Sequence, residues 1–297
     1  MMRQVIKLAG RAVHRYSMIQ DGDRVLVAVS GGKDSLVLAH FLAERRRRVP
    51  IEYALVAVHL DMGYDRPEQK AALKAFLQAL EVEAWFEDTD YARVAHTDFN
   101  RENPCFLCAR LRRRHLFQLA ERFGCRKVAL GHHRDDLNVT LLMNIFYSGE
   151  ISTMLPSQDF FGGALTVIRP LALVPENKIA RLARDLALPV AENACPSAGR
   201  SKREEVKALI QALTRKNRKV SGNIFHSLSN VRPDYLLHRD GEAKRPPLVD
   251  PEALVAWGLK EEAYARPREA PQDPGFVSDV DDPHWSGSDP GRPRGPA

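Results

Sequence analysis

The chain has 297 residues, 44% of them hydrophobic, and its 44 basic and 38 acidic side chains give a net charge of +6. That length supports one large domain with appendages, and 44% is ordinary for a packed core. No apolar run reaches the roughly 18 residues of a membrane span, and four cysteines are too few for a disulfide scaffold. A membrane-spanning helix is therefore not expected. With no signal-peptide core at its start, a cytoplasmic enzyme is the expectation.

Charge is divided unevenly. Residues 240–297 hold 12 acidic and seven basic side chains, a net of −5, which leaves residues 1–239 at +11. Basic runs stand at Arg45-Arg46-Arg47-Arg48, at Arg110 with Arg112-Arg113-Arg114, at Lys202-Arg203, and at Arg215, Lys216, Arg218 and Lys219. One such run is an ordinary solvated face. Four in one body favour a polyanion, RNA or DNA, as partner.

In chain order, Arg3, Lys7, Arg11 and Arg15 recur every four residues among Val5, Ile6, Ala9, Ala12 and Val13, which predicts an amphipathic helix within residues 1–22. Apolar runs then alternate with helical patterns: strand 25–29, helix 35–48, strand 53–60, helix 67–80, strand 82–87, helix 108–123, strand 127–131 and helix 136–147. This predicts an α/β fold, a doubly wound parallel sheet with helices on both faces. A further strand is expected at 166–171, a helix at 176–188 opened by Pro175, and a helix at 201–217 with Ser201 and Glu204 as a capping box. Residues 23–238 thus form one catalytic domain. The last 58 residues hold ten of the 19 prolines and six of the 18 glycines, so 239–297 reads as a mostly disordered acidic tail with room for a short helix at 251–263.

Ser30, Asp61 and the segment after Leu130 all fall beyond the carboxyl ends of such strands, where ligands sit, and three motifs carry the chemistry. Ser30-Gly31-Gly32-Lys33-Asp34-Ser35 follows the apolar Val25–Val29 and opens a helix. Paired glycines admit backbone N–H groups to an anion, and the helix start adds donors and a positive dipole end. The spacing is not that of Walker A. Second, Cys105-Phe106-Leu107-Cys108 stands at a helix start beside arginines that favour thiolates. It reads as a metal or cluster site, a redox dithiol, or half of a zinc site lacking its second pair. Cys195 is the remaining partner, because Cys125 before an apolar strand reads as a core residue. Third, Gly131-His132-His133-Arg134-Asp135-Asp136, with Thr140, ends a strand and begins a helix. Asp135 or Asp136 is either an N-cap or a carboxylate for Mg²⁺ or proton transfer.

Ser-Gly-Gly-Lys-Asp-Ser after a strand resembles the PP-loop of N-type ATP pyrophosphatases, which cleave ATP between its α and β phosphates. The Cys-Phe-Leu-Cys-Ala-Arg-Leu-Arg-Arg block, Leu-Gly-His-His-Arg-Asp-Asp with Thr140, Asn144–Gly149 and Val167–Ala172 add a resemblance, over roughly residues 20–238, to the tRNA 2-thiocytidine biosynthesis proteins. That resemblance implies adenylation of the C2 oxygen of a tRNA cytidine and its replacement by sulfur. It implies ATP with Mg²⁺ at Ser30, Gly31, Gly32, Lys33, Asp34, Ser35, Asp61, Gly131 and His132, and a [4Fe–4S] cluster on Cys105, Cys108 and Cys195. Three protein ligands would leave one iron open for sulfur. Lys33, Asp136 and Arg112 are the implied catalytic residues, although Arg112 reads equally as a tRNA phosphate contact. A sulfur donor such as a cysteine desulfurase, and a homodimer, complete the implied partners. Lysidine and 2-thiouridine synthetases fit the cysteine placement less well, and an ATP-binding iron–sulfur sensor or a sulfonucleotide reductase is the reading from another class.

Overall fold

The computed structural model describes residues 2–97, 104–191, 195, 199 and 201–236, and the chain divides into two units, Met1–Val231 and Arg232–Ala297. The described part of the second unit holds a 3-10 turn, Pro233–Tyr235, with the Arg232 guanidinium over the Tyr235 ring. The expected acidic tail at 239–297 and its helix at 251–263 lie outside the described residues.

The first unit runs α1 (Met2–Arg15), β1 (Asp23–Ala28), α2 (Lys33–Arg46), β2 (Tyr53–Asp61), α3 (Pro67–Ala79), β3 (Glu83–Asp88), α4 (Tyr91–Ala95), α5 (Pro104–Arg122), β4 (Lys127–Ala129), α6 (Arg134–Ser148), β5 (Ser157–Phe160), β6 (Leu165–Ile168), α7 (Glu176–Asp185), α8 (Lys202–Lys216) and α9 (Val220–Ser227). The strands form one sheet in the order β3-β2-β1-β4-β6-β5, parallel throughout except for the antiparallel edge strand β5.

Strand periodicity divides the core. In β1, Val25 and Val27 join one cluster with α1, α2, α3 and α7, while Leu26 faces the other with Leu116, Leu119 and Ala120 of α5. Helix α2 contributes Leu36, Leu38 and Leu42, all fully buried, and each is worth ~1.5–3 kcal/mol against exposure. A third, smaller cluster joins Val139 of α6 to Val206 and Ile210 of α8.

Several boundaries differ from expectation. Helix α1 stops at Arg15, and Ser17 takes φ 46°, a left-handed turn. Helix α5 begins at Pro104, four residues before its expected start, so Cys105 and Cys108 lie inside its first turns on one face. Pro104 supplies the φ that a first helical position needs. Strand β6 ends at Ile168, and Arg169 enters a turn in which the Ala172 N–H donates to its carbonyl at 2.9 Å. Pro175 is the N-cap of α7 rather than its first residue.

The topology selects one crevice. β1 has β2 on one side and β4 on the other, so the chain winds outward in both directions and the loops after β1 and β4 face each other at a switch point.

Candidate active site

The loop after β1 closes on itself. Ser35 Oγ accepts the Ser30 N–H at 3.1 Å and donates to the Gly32 carbonyl at 2.9 Å. Gly31 takes φ 80°, and a Cβ there would stand 3.2 Å from the Ala191 Cβ, so glycine is required both by conformation and by space. Gly32 caps α2 without a side-chain hydrogen bond. The first-turn amides of Lys33, Asp34 and Ser35 therefore lack intrahelical acceptors and form an anion site.

The wall opposite is the loop after β4. A Cβ on Gly131 would lie 3.0 Å from the Ser35 nitrogen and 3.1 Å from the Asp34 carbonyl carbon, so the two loops touch backbone to backbone. Helix α6 is capped by His133 rather than by an aspartate, and Asp136, at the third position, accepts the His133 N–H at 3.0 Å. The N-cap alternative for Asp135 and Asp136 is thereby corrected: the carboxylate closes the cap from within the helix.

Charges here are paired across long sequence separations. Lys33 Nζ meets Glu176 Oε1 at 3.0 Å and Asp34 Oδ2 at 3.2 Å, and Lys207 Nζ meets the same Glu176 oxygen at 3.1 Å. Burial works to lower the Lys33 pKa, but Asp34 and Glu176 raise it above the usual value. Arg203 reaches Asp136 Oδ1 at 2.5 Å and Thr140 Oγ1 at 3.4 Å. Against burial, His133 and Arg203 hold Asp136 below the usual carboxylate range. Asp135 accepts the Glu176 N–H at 2.8 Å and the Ser221 hydroxyl at 3.1 Å, and Ser221 Oγ accepts from Arg134 at 3.2 Å. Glu176, Lys207, Arg203 and Ser221 had no motif to single them out. The available signals were weak: an acid after Pro175, and a basic run at Lys202-Arg203.

Four buried side-chain atoms at this junction have no hydrogen-bond partner among the described residues: Asp34 Oδ1, His133 Nδ1, Arg134 Nε and Asn138 Oδ1. An unpaired carboxylate oxygen beside an anion site suits a divalent cation carried on phosphate oxygens. Asp61 is differently engaged. Its Oδ1 accepts the N–H groups of Gly63, Tyr64 and Asp65 at 2.7, 3.2 and 3.3 Å, and Lys70 pairs with its Oδ2 at 2.5 Å. It shapes the wall of a small cavity lined by Ser30, Gly31, His59, Asp65, Gln69, Lys70, Leu73, Pro189 and Ala191. His132 lies beside Arg169, and burial with Arg169 pushes it down to about 4.

The thiols gather nearby. Cys105 is exposed, Cys108 and Cys195 are half-buried, and Cys125 lies in the core as expected, 3% exposed. Cys108 lies within electrostatic reach of Arg112, Cys195 and Cys105, and Tyr64 of both Cys195 and Cys108. Burial, together with the neighbouring thiols, pushes Cys108 up despite Arg112. At Cys108, therefore, Arg112 does not outweigh burial. Among the described residues no three His, Cys, Asp or Glu side chains stand at metal-ligand spacing. As a donor set, three neighbouring thiols fit an iron–sulfur cluster, which binds through thiolate sulfur.

A model of the PP-loop domain matches residues 4–213. The tRNA-cytidine(32) 2-sulfurtransferase of Geobacter metallireducens is 42% identical over 243 residues, 80% of this chain and 93% of that one. The protein of the same name from Citrifermentans bemidjiense is 40% identical over 241 residues, 80% and 93% of the two chains. That from Anaeromyxobacter dehalogenans is 36% identical over 279 residues, 93% and 94%. In fold, the chain is similar to the U34-tRNA thiolase NcsA of Methanococcus maripaludis, solved with its [4Fe–4S] cluster, with a TM-score of 0.64 at 24% identity over 77% and 78% of the two chains. No helix among the described residues is long and apolar enough to cross a membrane. With its phosphate loop at the sheet's switch point and its matched length, the chain belongs to the tRNA-cytidine(32) 2-sulfurtransferase family of PP-loop proteins.

Proposed function

We propose that this chain thiolates cytidine 32 of tRNA at the expense of ATP. The C2 oxygen attacks the α-phosphorus, the bond to the β-phosphate oxygen breaks and pyrophosphate leaves. Sulfur at the sulfide level then adds at C2, the C2–O bond breaks, and AMP departs with the oxygen. The phosphates bind on Ser30, Gly31, Gly32 and the first-turn amides of α2, against Gly131 and His132. Lys33, already charged and held by Glu176, neutralises the charge that grows on the departing pyrophosphate. Asp34 would hold a Mg²⁺ ion, which would supply charge neutralisation for the phosphates, and Asp61 supports the nucleoside side through its loop. Asp136 is an ionised carboxylate, fixed by Arg203 and its own cap, that receives the proton shed as the cytosine ring is activated.

A [4Fe–4S] cluster held by Cys105, Cys108 and Cys195 would supply an iron with an open position for sulfur. Arg112 serves the join between the two halves, and the observation that carries the proposal is its position: it lies within electrostatic reach of both Cys108 and His132. It balances the negative charge of a thiolate set on one side and of the adenylate on the other. The basic runs serve tRNA, a cysteine desulfurase serves as sulfur source, and the enzyme acts as a homodimer in the cytoplasm. The test is anaerobic purification with iron and sulfide analysis, followed by incubation with tRNA, ATP and sulfide. Pyrophosphate, AMP and 2-thiocytidine in equal amounts are expected. ATP cleavage without 2-thiocytidine, or an absence of bound iron, overturns the reading.

A further inference from the structure

His132 and His133 are adjacent in sequence yet meet opposite chemistry. His133 is surrounded by carboxylates, with Nε2 at 3.4 Å from Asp136 and 3.7 Å from Asp34, and Nδ1 at 3.9 Å from Asp135. His132 instead meets a guanidinium: Arg169 Nε donates to its Nδ1 at 3.3 Å. Arg169 is 6% exposed and independently anchored, because its NH1 donates to the Leu155 carbonyl at 2.5 Å and its backbone N–H to the Pro156 carbonyl at 2.8 Å.

A guanidinium only donates. The Nδ1 that faces it must accept, so the ring's one proton stands on Nε2. A doubly protonated ring would set two N–H groups against each other. The low pKa of His132, about 4, has burial and Arg169 as its leading causes and agrees with that reading. The charged groups that reach the ring are Arg169, Arg203 and Arg112 against the single carboxylate of Asp136, a surrounding that favours an anion. Gly131, the residue before it, packs on Asp34 and Ser35 at the start of the phosphate loop.

We propose that His132 Nε2–H donates a hydrogen bond to a non-bridging α-phosphoryl oxygen of ATP, and that Arg169 is the positioning residue that fixes this tautomer. The assignment rests on the ATP reading above. As the α-phosphorus is attacked, charge builds on its non-bridging oxygens, and a donor held in place by a buried partner needs no reorganisation to meet it. A neutral donor also leaves the cytidine oxygen free as nucleophile.

Two measurements separate the parts. Nitrogen-15 NMR of histidine-labelled protein, assigned by the signal lost in His132→Gln, reads which ring nitrogen carries the proton. Steady-state pyrophosphate release with tRNA, on holoenzyme, reads the role in turnover for His132→Gln, His132→Asn, Arg169→Lys and Arg169→Gln. The expected result is a proton on Nε2. His132→Asn, whose amide reaches only the Nδ1 position, loses ~10²–10³-fold in kcat at unchanged KM for tRNA. His132→Gln, with a donor near Nε2, retains more, and Arg169→Lys, which still donates, retains more than Arg169→Gln. Should the Arg169 variants misfold, the His132 pair and the NMR signal still decide. A proton on Nδ1, or equal activity of the Asn and Gln variants, overturns the proposal. Failure of wild-type holoenzyme to release pyrophosphate would instead remove the ATP reading and the phosphoryl contact with it, leaving the NMR result to judge Arg169's hold on the tautomer.

Discussion

The nucleotide crevice and the cysteine end of α5 are organised in opposite ways. In the crevice nearly every charged group has a partner: Lys33 with Glu176, Asp136 with Arg203, and Asp135 with the Glu176 amide and Ser221. Around Cys108 the described neighbours include other thiols, the Tyr64 hydroxyl and the exposed Arg112, and burial raises its pKa. The first region is assembled by the protein alone. In the second, each thiol that ionises raises the cost of ionising the next, so without a cation between them the thiols favour their protonated forms.

The largest separation of the two regions comes from Cys105→Ala, Cys108→Ala and Cys195→Ala. Each should abolish 2-thiocytidine formation and lower bound iron while leaving ATP affinity, read by calorimetry, unchanged; Cys125→Ala should keep the iron. Parallel loss of ATP binding would mean that the regions are not independent. The converse is Gly131→Ala, whose Cβ would fall 3.0 Å from the Ser35 backbone nitrogen. Overpacking of ~1–3 kcal/mol should weaken ATP binding and lower the melting temperature at full iron content. Ser221→Ala removes the hydroxyl shared by Asp135, Arg134 and Asn138. Urea unfolding should register a loss of ~1–3 kcal/mol, with iron again retained, and an unchanged midpoint would show that water replaces the hydroxyl.

Acid gives the smallest contrast. Burial alone would raise Glu176 and Asp136, but Lys33 and Lys207 lower the first, and His133 and Arg203 the second, from ordinary values of 4.5 and 3.8. A carboxylate depressed in the folded state contributes stability that is present above its unfolded pKa and lost as pH falls through the folded one. Melting temperature should therefore drop as pH falls below about 4. The drop should shrink in Glu176→Gln.

The sheet was legible because its strands carry strong apolar runs, and the phosphate loop because two glycines and a serine follow such a run directly. Helix α9 was not, since Ser221, Gly222 and Asn223 are poor helix formers that α6 and α8 hold in place. Strand β5 is four residues, Ser157–Phe160, too short for a period to emerge. Within the site, Lys33 stood out as a motif residue, but the carboxylate that holds it lies 143 residues away. Arg203 read as part of a basic run for a polyanionic partner, whereas folding brings it to Asp136. Local pattern reports which residues start an element. Partners chosen across the sheet leave no such trace.

The three amide bonds that Asp61 gathers set a clock for the loop after β2. Surface loops usually exchange their amide hydrogens with solvent quickly, through small local openings. In this loop Gly63, Tyr64 and Asp65 all donate to one carboxylate oxygen, whose backbone carbonyl also accepts the Thr89 N–H at 3.0 Å. Freeing any one of them disturbs the others. Their protection should accordingly track cooperative opening of the β2–β3 edge rather than local fraying, making these amides an internal reporter of when that wall parts.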